Sequence, residues 1–159
     1  MPALPRILSA AAFSLCTLSP ALAATEYRGG GFLTDFANCG TSGWAGSERI
    51  LFIYAPAGLE GNSDTENRMT ILAYSGAINY TFSYQPGQYP ALGAWFNVRT
   101  TNVFSGGYQF DGVIMRLLDS DPREAAIGGA TTFFLNFEID NFEGFQNCTV
   151  RGRAVVALN

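Results

Sequence analysis

Few side chains in this sequence are equipped for chemistry, and the types that are missing narrow the choices most. Histidine and lysine are absent from all 159 residues. Their absence removes Ser-His-Asp and Cys-His nucleophiles, histidine-ligated zinc, lysine Schiff bases, Ser-Lys dyads and the phosphate loop that requires a lysine. No remaining side chain has an ordinary pKa near neutrality, so proton transfer would fall to carboxylates in shifted environments. Glu138 and Asp140 are the best-spaced pair, because residues two apart on a strand share a face. A glycosidase needs its carboxyls about 5–5.5 Å or about 6.5–9.5 Å apart, on opposite sides of the bond. One outward strand face does not supply that opposition, and a solvated polar surface explains the pair better. Asp119, Asp121 and Glu124 around Pro122 read as a solvated turn. The expectation is a protein that is not an enzyme, with a carboxylate-dependent hydrolase as the last alternative.

Two further constellations could bind rather than react. Glu60, Asn62, Asp64 and Glu66 alternate through a loop that also holds Gly58 and Gly61. Oxygen ligands at alternate positions suit a hard cation such as calcium, but the glycine falls in the wrong place for an EF-hand. A hydrated turn is the preferred reading, so neither a metal nor a cofactor is expected. The other group is aromatic. Trp44 follows a glycine-containing loop, Tyr84, Tyr89 and Trp95 bracket residues 85–92, and Phe142 and Phe145 precede Cys148. Aromatics at a barrel mouth can stack on sugars or apolar ligands, or they can plug the barrel end as core.

The compartment is set by the first residues. Met1 to Ala23 has the form of a secretory signal peptide: Arg6, an apolar run from Ile7 to Leu18, a break at Ser19-Pro20, and the small-x-small site Ala21-Leu22-Ala23. The apolar run is too short for a membrane-spanning helix, which needs about 20 residues. Leu15 is too bulky for a lipid anchor on Cys16. Removal of residues 1–23 would leave 24–159 as a single all-β domain, periplasmic or secreted and without a membrane span. The net charge is −4, charged residues make up only 14%, and hydrophobic residues 48%. Such a composition supports a filled core rather than disorder. With arginines scattered and no basic run, nucleic acid is not an expected partner.

Cys39 and Cys148 then remain as an even pair, best read as one disulfide. Chain-entropy models assign such a bridge about 4.7 kcal/mol for a loop near 100 residues, before losses to strain. Eight period-2 segments surround it: 27–36, 48–55, 68–74, 78–84, 94–104, 113–118, 131–140 and 148–158. The continuous run Ile50-Leu51-Phe52-Ile53-Tyr54 suggests a strand covered on both faces. Asp111-Gly112 carries a hairpin signal, and Ser105-Gly106-Gly107 reads as a bulge or bend.

An up-and-down meander with an even strand count brings the end of the first strand beside the start of the last. The two cysteines stand at those ends. The expected fold is therefore all-β, about eight antiparallel strands in a closed or nearly closed barrel with first and last strands adjacent. A two-sheet β-sandwich is the alternative, and an outer-membrane barrel fits the doubly apolar strands poorly. The expected function is a secreted or periplasmic binding module using loop aromatics for a small apolar or carbohydrate ligand or a protein surface. A structural or envelope-interaction protein is the alternative.

Overall fold

The computed structural model describes residues 26–40, 46–58, 66–73, 76–83, 91–123 and 130–159. The expected signal segment lies outside them. Nine strands are assigned: β1 (Tyr27–Ala37), β2 (Glu48–Ala55), β3 (Glu66–Ala73), β4 (Gly76–Ser83), β5 (Phe96–Asn97), β6 (Arg99–Asn102), β7 (Ile114–Asp121), β8 (Thr132–Asp140) and β9 (Thr149–Leu158). They form one antiparallel sheet in the order β5-β7-β8-β9-β1-β2-β3-β4-β6. The two strands at the ends of that order are consecutive in the chain, separated only by Val98. One run therefore faces β7 with its first part and β4 with its second, and the sheet is a nearly closed barrel. The expected eight strands become nine because this fifth one is split in two.

The meander arrives by an unexpected turn. Asn102 N–H donates to the Gly107 carbonyl, Gly106 N–H donates to the Asn102 carbonyl, and Thr101 bridges antiparallel to Tyr108. The chain thus reverses fully at Ser105-Gly106-Gly107, where the sequence predicts only a bulge or bend. After the reversal, residues 108–110 run beside β6 and continue through Asp111-Gly112 into β7. The expected hairpin turn at Asp111-Gly112 is instead an irregularity within one long arm. Both sites have a glycine in the left-handed region, φ 67° at Gly106 and 66° at Gly112. Such a glycine serves a reversal and a bulge equally well, so local turn chemistry alone did not separate them.

The first and last strands pair from Tyr27–Leu158 to Ala37–Thr149, with a bulge between Thr34 and Ala37. Their approach depends on glycine. A Cβ on Gly29 or Gly31 would collide with the carbonyl of Val155 or Arg153, so β1 lies closer to β9 than any side chain permits. Cys39 and Cys148 are joined just past this seam, with Cα atoms 4.6 Å apart.

Inward alternation fills the barrel. Phe52 and Phe137 meet at 5.5 Å, while Tyr27, Tyr54 and Phe133 form an edge-and-stack cluster with centroids 4.9–6.3 Å apart. Gly152 lies beneath the Phe137 ring, where a Cβ would overlap it. Each fully buried aromatic contributes about 2–3 kcal/mol. The expected covering of both β2 faces is not found. Ile50, Phe52 and Tyr54 point inward, whereas Leu51 is 61% exposed on the outer wall.

Candidate functional site

The aromatic candidates separate. Trp44, Tyr84 and Tyr89 lie outside the described residues, as do Glu60, Asn62 and Asp64 of the cation-loop candidate. Glu66 opens β3, where its carboxylate accepts from Arg99 at 3.3 Å. Among the described residues no group of three potential metal ligands occurs. Phe142 is buried against Phe36, edge-on at 6.2 Å, and serves as core at the disulfide end. Phe145 is partly exposed. Trp95, 41% exposed, stacks outside the barrel with Arg116, whose guanidinium carbon sits 4.5 Å from the ring centre.

That stacking starts a ladder across the outer wall. Arg116 on β7, Glu138 on β8 and Arg151 on β9 are cross-strand partners. Arg116 Nη2 donates to Glu138 Oε1 at 2.8 Å, and Arg151 Nε donates to Oε2 at 3.1 Å. Although Glu138 points outward, it is only 6% exposed. Both its oxygens are engaged by guanidiniums, so it holds two arginines in place. Asp140 shares its face, on the outer side of β8.

Two cross-strand rows away from the ladder runs an apolar row. Leu72, Leu51, Gly30, Val155 and Phe134 are successive cross-strand partners on β3, β2, β1, β9 and β8. Leu51 and Val155 are 61% and 56% exposed. The neighbouring row is Arg49, Phe32, Arg153 and Asn136, with Arg153 above the Phe32 ring at 5.5 Å. A dent of about 130 Å³ over Gly30 and Gly31 lies between Phe32 and Phe134. Glycine thus does two things here: it brings β1 against β9, and it hollows the outer surface.

Other recesses also open outward. One of about 380 Å³ is lined by Thr34, Asp35, Asn136, Arg151 and Arg153, and another of about 310 Å³ by Glu66, Arg68, Asn79, Thr81, Arg99 and Thr101. A third group of exposed apolar residues marks the β6 hairpin tip, where Phe104 is 84% exposed. Tyr108 beside it donates its hydroxyl to Asp111, which raises the phenol pKa above its ordinary value.

This outer face is hard to see in the sequence, because apolar residues in alternating strands ordinarily face the interior. The signal was present in β9. Val150, Gly152, Ala154 and Val156 alternate with Arg151, Arg153 and Val155, which makes Val155 an apolar residue on the charged side. No family model matches the chain, and neither a curated protein nor a solved structure does.

Proposed function

We propose that this protein is an exported, non-catalytic β-barrel that docks another protein on the outer wall formed by β2, β1, β9 and β8. The exposed apolar row through Leu51, Gly30, Val155 and Phe134 carries the reading. Contiguous apolar surface of this kind marks contact sites. Arg49 and Arg153 stand along its border, so the fitting partner has an apolar centre edged by Asp or Glu. Three supports come from elsewhere in the molecule. The interior is occupied by core side chains, the buried carboxylate is tied to arginines, and a disulfide persists in oxidising compartments.

A photo-crosslinking residue at Leu51, compared with one at Arg68 on another part of the wall, tests the reading in exporting cells. A discrete adduct is expected at Leu51 and lost in Val155→Glu, with the melting temperature preserved. No adduct, or equal adducts at both positions, would end the proposal.

The recess around Arg68 and Arg99 favours a second reading, a hydroxyl-rich saccharide. Its wall offers two threonines, an asparagine and two arginines. Glycan-array binding abolished by Arg68→Ala would support it, and absence of binding would remove it.

A further inference from the structure

We infer that the recess beside Arg151 and Arg153 is a receptor for a carboxylate group. The reading rests on donors that are fixed yet unused. Glu138 holds Arg151 through Nε, which leaves the two terminal nitrogens of its guanidinium unengaged among the described residues. Arg153 lies two residues further along β9, on the same face, with its guanidinium above Phe32. Asn136 is the cross-strand partner of Arg153, and Thr34 that of Arg151. All four line the same recess of about 380 Å³. Neither the Asn136 amide nor the Thr34 hydroxyl has a hydrogen-bond partner among the described residues.

Arg151 is also pre-positioned. Its anchor, Glu138, is itself fixed by Arg116 at 2.8 Å, and Arg116 by the Trp95 ring. A guanidinium held by its Nε presents its remaining edge as a two-pronged donor, the geometry that carboxylates accept. The β1 bulge places Asp35, with φ 53°, at the rim. That like charge weakens a carboxylate ligand and supplies a built-in test of sign.

This inference adds a ligand chemistry to the docking wall but does not depend on docking, because a small carboxylate can report on the recess alone. The probe is succinate, with succinamide as its uncharged counterpart, followed through the arginine Nε–H and asparagine amide resonances of the full chain. Succinate is expected to shift Arg151 and Asn136 saturably, and succinamide is not. Arg151→Gln should weaken binding about tenfold through the lost charge-assisted pair. Asp35→Asn should strengthen it by about threefold, as removal of a nearby like charge at a surface site does. Glu138→Gln frees Arg151 and should weaken binding without itself touching the ligand. The two exposed substitutions keep the test valid even where Glu138→Gln fails to fold.

Non-saturating shifts, or shifts of equal size at Arg68, would overturn the inference. Competition identifies the source. If succinate suppresses the Leu51 adduct, the docked protein supplies the carboxylate; if it binds and the adduct persists, a free acid does, and the recess stands in both cases. A Leu51 adduct with no succinate response would refute the recess and leave docking intact.

Discussion

The barrel is joined in two places, and the joints are built differently. The terminal joint pairs β1 with β9 over nine cross-strand partners, packs glycine against a neighbouring backbone, and is stapled by Cys39–Cys148. The mid-chain joint has two partner pairs between β5 and β7 and four between β4 and β6, with Val98 between the pieces. A side chain makes up part of the deficit. The buried Thr100 hydroxyl donates to the Phe110 carbonyl and accepts from the Phe110 N–H, both at 2.8 Å. The contrast places stiffness where the proposed docking wall lies and deformability on the far side, as expected when local stability follows ladder density.

The largest effect should come from filling the tight approach at the terminal joint. Gly31→Val is expected to cost more than about 4 kcal/mol, beyond the usual range for a single substitution, and to leave little folded protein in a urea titration. Replacing both cysteines by alanine should cost about 3–4.7 kcal/mol, read as a fall in urea midpoint with a steeper slope, because the unfolded chain without its cross-link exposes more surface. Should that double variant unfold no earlier than the parent, the terminal joint is held by its ladder alone.

At the other joint, Thr100→Val leaves the Phe110 backbone groups unsatisfied and should cost about 1–3 kcal/mol. Native-state hydrogen exchange should then show Arg99–Asn102 losing protection while Gly30–Leu33 keeps it. Uniform loss of protection would mean that the two joints open together.

Alkali probes the space between them. Burial raises the Tyr80 pKa well above its ordinary value of 10.0, and the charge of Glu143 adds to this. A raised folded-state value means the stabilisation is complete below pH about 10 and is lost as pH climbs towards the folded-state value. Melting temperature should therefore be flat up to about pH 10 and fall beyond it, with Tyr80→Phe delaying the fall. The smallest effect is expected from Leu51→Glu and Phe104→Ser. Both are exposed, and each should change stability by less than about 0.5 kcal/mol.

The two joints also differ in how plainly they could be read from sequence. Parity worked at the terminal one because Cys39 and Cys148 stand at strand ends, and a meander that brings them together must pair those strands. The same reasoning was blind at the mid-chain joint, where Gly106 and Gly112 both adopt left-handed backbone and only long-range pairing decides which of them turns the chain. For the candidate site, Trp95 and Glu138 were singled out, but the reason for their proximity was not visible. Arg116 unites them across strands, and cross-strand neighbours follow from register. Leu51 escaped notice because a continuous apolar run conceals which of its members faces outward.

The cystine has a consequence beyond rigidity. Residues 39 to 148, together with the sulfur link, form a closed covalent ring from which β1 and β9 extend as two tails laid side by side. A protease that severs one peptide bond anywhere on that ring releases nothing. The clipped molecule keeps its mass apart from one added water, and the damage shows only after reduction.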